Sequence, residues 1–161
     1  MCNASPIIAL SIVGQLDLLW QMFEVYIPSA VYQEVVFNQF DHDFGKCELD
    51  QALSEGHIKL YNVQDQDFVE KLYGHFHRGE LEVIAGAIEM GINVVLIDER
   101  SARNLAETLL IRPLGVLGLL RKAKYSGRID SVKPMLDLLI KYKFRISAEL
   151  YNKTLKELGE I

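Results

Sequence analysis

The run Asn93-Val94-Val95-Leu96-Ile97 constrains this chain more than any other segment. Its apolar residues are continuous rather than alternating with polar ones. A strand of that kind is buried on both faces, which requires helices packed above and below it and favours parallel pairing. It ends abruptly in Asp98-Glu99. The rest of the chain supplies the matching pieces. Extended segments are expected at Val25 to Ile27, closed by Pro28, at Ile58 to Val63, and at Ile111 to Leu114. Helices are expected from Ser5-Pro6 to Val13, from Leu16 to Phe23, from Ser29 to Asn38, from Glu48 to Glu55 and from Asp65 to Tyr73. Further helices should run from Gly79 to Glu89, from Glu99 to Leu110, and over 117–125, 131–142 and 148–158. Ser5 and Ser29 suit helix caps, and Pro6 suits a first helical position. Strands alternating with helices imply parallel βαβ units and an α/β fold. Such sheets place ligands outside the carboxyl ends of their strands.

The chain has 161 residues, half of them hydrophobic, enough for one domain with its own core. Cys2 and Cys47 are too few for a disulfide framework and fit a reducing compartment. The longest apolar runs fall far short of the roughly 20 residues of a spanning helix. No basic segment precedes the first run. The expectation is a cytoplasmic protein with no membrane contact.

Net charge is −5, but it is unevenly dealt. Residues 1–99 carry 4 Lys/Arg against 16 Asp/Glu, while residues 100–145 carry 11 against 3. Carboxylates that hold cations beside a basic block that holds phosphates would suit a metal-dependent phosphodiesterase. An ordinary solvated surface with uneven charge is the alternative.

Four residues fall where the carboxyl-end rule would put a site. Asn3 ends a short first strand, Glu34 lies within the Ser29 helix, Glu80 opens a helix, and Asp98 ends the best strand. Hard cations such as Mg2+ and Mn2+ take oxygen ligands and keep several waters, so two or three converging carboxylates suffice. Such ions polarise a phosphodiester and activate water. Each residue also has a purely structural explanation. Glu34 can be the exposed face of an amphipathic helix, Glu80 an acid at a helix N-terminus, Asp98 an N-cap and Asn3 a turn residue. Glu82 and Glu99 flank the set as supporting acids. Arg103 lies five residues after Asp98 and either borders the site or pairs with Glu99. Arg121 and Lys124, with Lys122 and Arg128, form either a nucleic-acid patch or a solvated helix face. His42, His57, His75 and His77 lack zinc-site spacing, and neither cysteine has a neighbour that would mark a nucleophile. Gly115-Val116-Leu117-Gly118 could cradle a phosphate, although tight helix packing also explains it.

Several segments together resemble a largely uncharacterised prokaryotic branch of PIN-domain proteins. They are Asn3 to Leu10, Gly14 to Leu19, Ile27 to Val35, Gly79 to Ala85, Ile97 to Arg103, and Gly115 to Gly118 with Ala123, Lys124 and Gly127. The resemblance covers nearly the whole chain in order. It implies a three-layer α/β/α domain over 1–161 with a short central parallel sheet of about 4–5 strands. The last helices, about 131–161, would pack as a C-terminal extension. It implies a Mg2+- or Mn2+-dependent endoribonuclease with Asn3, Glu34, Glu80 and Asp98 at the metal, the last three catalytic, and Ser5 orienting the shell. RNA would be the substrate, with Arg103, Arg121 and Lys124 on its backbone. Toxin-like members of the branch pair with a small antitoxin, and PIN domains often form homodimers.

Three departures from the family pattern stand out. Asn3 replaces the usual Asp, only Met1 and Cys2 precede it where several apolar residues are expected, and Val116 occupies a position expected to carry a hydroxyl. They favour a rival function, a catalytically inactive PIN-like module that binds nucleic acid or protein. Three carboxylates around one point would favour the enzyme. Carboxylates pointing apart, or an Arg or Lys filling the site, would favour the module.

Overall fold

A computed structural model describes residues 1–37 and 43–161 of the chain. Strand β1 (Val25–Pro28) pairs in parallel with β2 (Ile58–Tyr61), and β3 (Val94–Leu96) pairs in parallel with β4 (Arg112–Leu114). Among the described residues the expected single sheet of four or five strands does not form; they make two parallel sheets of two strands each. Met1–Asn3 runs between them. The Cys2 amide donates to the Tyr26 carbonyl of β1, the Asn3 amide to the Leu96 carbonyl of β3, and the Leu96 amide to the Met1 carbonyl, each at 2.9 Å. Only Cys2, opposite Leu96, makes a bridge there. Helix α1 (Ala4–Ile12) begins immediately after the extended Asn3, so the segment has no further residue with which to become a strand.

Helix α3 (Ser29–Val36) and α4 (Lys46–Ser54) cross from β1 to β2, while α7 (Arg100–Thr108) crosses from β3 to β4. The expected last residue of α3, Asn38, and His42 lie outside the described residues. Helix α6 (Arg78–Met90) is buried at every position from Gly79 to Ala87. A helix buried all round belongs to the middle of a structure, and α6 packs against α3, β1, β3 and α7, with α5 (Gln66–Leu72) beside it. The core contains Ile7, Leu10, Ile27, Ile84, Ile97 and Leu119, all fully buried. Full burial of such a side chain contributes about 1.5–3 kcal/mol. Helix α8 (Val116–Tyr125), α9 (Lys133–Lys141) and α10 (Ala148–Glu157) feed the same core through Leu120, Leu136, Leu139 and Leu155. The apolar stripe of α9 therefore spends its buried residues inside the molecule.

The helix ends depart from expectation in an instructive way. The N-cap position of α1 is Asn3 rather than Ser5, and no side chain caps it. Pro6 sits one position deeper than N2, still within the first turn, where a missing N–H breaks no helical bond. Ser29 is the first residue of α3 rather than its cap, and its hydroxyl bonds Asn62 at 2.7 Å. The α3 amide of Ala30 instead donates to Glu82 Oε2 at 3.1 Å, an acid reaching across from the buried α6. Among the described residues, no helix is long and apolar enough to cross a membrane.

Candidate functional site

Asp98 follows β3, but it does not cap the helix that comes next. Glu99 occupies the N-cap position of α7 without a side-chain bond. Asp98 Oδ1 accepts from the Val116 amide at 2.9 Å, capping α8, eighteen residues further along the chain. The helix N-terminus that might have cradled a phosphate is thus taken by the chain's own carboxylate. Gly115 permits this approach, since a Cβ there would stand 2.8 Å from both Asp98 Oδ1 and Arg103 Nη1. Val116 contributes its amide to the site and buries its side chain, which is why a hydroxyl is not needed for this contact. Asp98 Oδ2 is buried and has no hydrogen-bond partner among the described residues.

Glu80 opens α6, and its Oε2 accepts from the His77 amide at 3.1 Å in a capping box. Its structural role at a helix start is therefore real, but one carboxylate oxygen remains for other work. Glu34 reaches in from α3. The residue is exposed as a whole, yet its Oε2 lies 2.7 Å from where a Cβ on Gly79 would stand, and Asn3 Oδ1 lies 3.3 Å from the same point. Asn3 is 5% exposed and its Oδ1, like Asp98 Oδ2, is unpartnered.

These residues meet in one cleft of about 330 Å³. Asn3, Ser5, Glu34, Glu80, Asp98 and Glu99 line it, whereas Glu82, expected beside them, does not. His77, Phe144 and Arg145 also line it, and the sequence analysis missed them. His77 precedes Glu80 by the spacing of a capping box, a signal that could have drawn attention to it. Phe144 and Arg145 lie between α9 and α10 and reach the cleft only through the packing of those helices. A second groove of about 430 Å³ shares His77, Glu80 and Glu99 with the first and adds Tyr73, His75, Phe76 and Ser101.

Burial outweighs the compensation that neighbouring groups give the cleft acids. Burial pushes Asp98 above the usual carboxylate range, opposed by the Val116 amide and Arg103. Burial likewise raises Glu80, against the His77 amide, with Glu99 adding repulsion. Glu34 is raised by burial, partly offset by His77 and reinforced by Glu80. Taking carboxylates out of water without a counter-charge is unfavourable.

The remaining predicted residues are placed elsewhere. Glu82 is committed to the α3 amide described above. Arg103 borders Asp98 and donates to the Ile97 carbonyl at 3.1 Å; an ion pair with Glu99 is not formed among the described residues. Arg121 pairs with Glu157 and Lys124 with Glu160, each at 2.6 Å. Neither lines the acidic cleft, and both tie α8 to the tail of the chain.

The donors facing the cleft are hard oxygens, the type that Mg2+ and Mn2+ prefer, and two of them are buried without partners. In chemistry they fit a divalent cation. In spacing the fit is looser: among the described residues, no three His, Cys, Asp or Glu side chains stand close enough to hold a metal ion together. Asn3 falls outside that set of residue types, and waters complete the shell of such ions.

Parallel βα units with acids gathered beyond the ends of β3 and the Met1–Asn3 segment define an α/β domain with an acidic cleft at its strand ends. A family model described as DUF3368: PIN domain matches residues 1–160, and the chain belongs to the PIN-domain family. No curated protein and no solved structure matches the chain significantly.

Proposed function

We propose that the protein is a Mg2+- or Mn2+-dependent endoribonuclease, with the cleft of Asn3, Glu34, Glu80 and Asp98 as its active site. The observation that carries this is the pair of buried, unpartnered oxygens, Asn3 Oδ1 and Asp98 Oδ2, in a cleft also lined by two further acids. Buried polar atoms are ordinarily satisfied, and a cation would satisfy both. When bound, the cation supplies Lewis-acid polarisation of a phosphodiester.

The chain's own residues define what surrounds that chemistry. Arg103 lies near Asp98, whose Oδ2 is buried, and the Val116 amide engages Asp98 at its other oxygen, Oδ1. The His77 amide does the same for Glu80. Ser5 and Glu99 support from the rim. Arg145 is the cation positioned to meet a phosphate, a role that passes to it from Arg121 and Lys124. Tyr73 and Phe76 in the adjoining groove offer faces on which an unpaired base can stack. Membership of a toxin-like pair with a small antitoxin, and a homodimer, complete the proposal.

A second function, an inactive PIN-like binding module, is favoured by Asn3 in place of an acid, by Arg145 in the lining of the cleft, and by the absence of three converging acid, cysteine or histidine ligands among the described residues. Calorimetric titration with Mn2+ separates the two. The nuclease requires saturable binding that Asp98→Asn weakens at least tenfold, together with Mn2+-dependent cleavage of RNA. Absence of binding at millimolar Mn2+ would leave only the module.

A further inference from the structure

A separate cleft of about 280 Å³ lies between the end of α1, α2 (Leu18–Met22) and α4. It shares no residue with the acidic site. Asp17, Glu48 and Glu55 line it with Ser11, Trp20 and Gln51, and no Lys or Arg is part of this lining. Asp17 and Glu48 are each steadied at one oxygen by the chain itself, and Glu55 at both, since its Oε2 lies 3.2 Å from His57 Nε2. Asp17 Oδ2 accepts from Gln21 at 2.6 Å, Glu48 Oε2 from the Gly45 amide at 3.0 Å, and Glu55 Oε1 from Gln51 at 2.8 Å. Asp17 Oδ1 and Glu48 Oε1 accept no hydrogen bond among the described residues.

Ser11 supplies an independent sign that something belongs here. It is 6% exposed, it lines the cleft, and its hydroxyl has no partner among the described residues. Trp20 is held in place by stacking on His57, with ring centroids 4.7 Å apart and planes 4° from parallel. Two acids with an unbonded oxygen, a third paired with His57, an orphaned hydroxyl and a fixed indole together suit an organic cation with several donors and a flat face. No three acids of the cleft stand close enough to hold a metal ion. A guanidinium fits better than an ammonium, because its planar fork meets carboxylates at two points and stacks on aromatic rings.

We infer that this cleft is a recognition notch for an arginine side chain presented by a partner polypeptide. The inference stands apart from the nuclease proposal, since it uses different residues and a different readout. Trp20 is the chain's single tryptophan, so its fluorescence reports on this cleft alone.

The test is a fluorescence titration of the full chain, at fixed ionic strength, with a short blocked peptide carrying one arginine. The same peptide with citrulline, which keeps the shape and loses the charge, and spermidine are titrated alongside. The expected result is a saturable change with the arginine peptide and none with the citrulline peptide. Asp17→Asn and Glu55→Gln should each weaken it by about three- to fivefold, and the surface variant Glu149→Gln should not. A response to spermidine alone would overturn the partner side chain as occupant. No saturable response to either cation, or one indifferent to citrulline or to both acid variants, would overturn the notch itself. The citrulline comparison uses unmodified protein, so the test survives a variant that fails to fold.

Discussion

At the scale of single residues, the cleft is set by what is missing as much as by what is present. Gly79 has no Cβ, and that leaves room for Glu34 Oε2 and Asn3 Oδ1 to face the same space. Gly79→Ala places a methyl 2.7 Å from the end of the Glu34 side chain, which can swing away. Alanine is also the better helix former, by up to about 1 kcal/mol. The variant should therefore keep or slightly raise its melting temperature while Mn2+ affinity falls about tenfold, equivalent to about 1.4 kcal/mol. Thermal unfolding and calorimetry on the same sample check both halves. Burial also makes the acids report on pH. Glu34 and Glu80 are raised above an ordinary 4.5 and Asp98 above 3.8. The folded state holds these protons more tightly than the unfolded chain. Their contribution to stability is complete below the ordinary values and is lost as pH rises through the raised ones. Without divalent cation, melting temperature should decline as pH rises above 4.5 more steeply in the wild type than in Glu80→Gln. Mg2+ should remove most of that decline; equal slopes in the two proteins would refute the link to Glu80.

At the scale of elements, buried acids act as caps supplied from a distance. Glu160 is the clearest case. Its oxygens accept from Ser131, from the Val132 and Lys133 amides at the start of α9, and from Lys124 of α8. Burial alone would raise its pKa, but these donors together hold it down at about 2. This contribution is full above 4.5 and is lost as pH falls through about 2, the opposite sense to the cleft acids. Glu160→Ala leaves α9 uncapped and Lys124 unpaired. It should cost about 2–3 kcal/mol, read by denaturant unfolding at pH 7. Glu82 serves α3 in the same manner. Neither contact joins sequence neighbours, so no local capping pattern announces it.

At the scale of the whole molecule, the uneven charge acquires two distinct uses. Part of the basic block closes the fold: Arg121 and Lys124 bind the tail through Glu157 and Glu160. Arg145 instead reaches the acidic cleft. Arg121→Ala should lower melting temperature and leave RNA binding nearly unchanged. Arg145→Ala should weaken RNA binding about three- to tenfold and reduce its salt dependence, with melting temperature preserved. Fluorescence anisotropy at several salt concentrations, paired with thermal unfolding, distinguishes the two outcomes.

The sequence by itself determined the βα alternation and the positions of its helices, because hydrophobic periodicity, glycine and proline act locally. Asn3 and Asp98 could be placed at the ends of extended segments, and the family resemblance grouped Glu34 and Glu80 with them; all four line one cleft. The tertiary structure decided the rest. It split the expected sheet in two, because α1 starts directly after Asn3. It turned Asp98 toward α8 instead of α7, since Gly115 brings the Val116 amide within reach. It brought Phe144 and Arg145 to the cleft, and it consumed Arg121 and Lys124 in ion pairs. Those outcomes depend on which distant groups arrive within hydrogen-bonding distance once the core has packed, and a pattern read along the chain carries no measure of that distance.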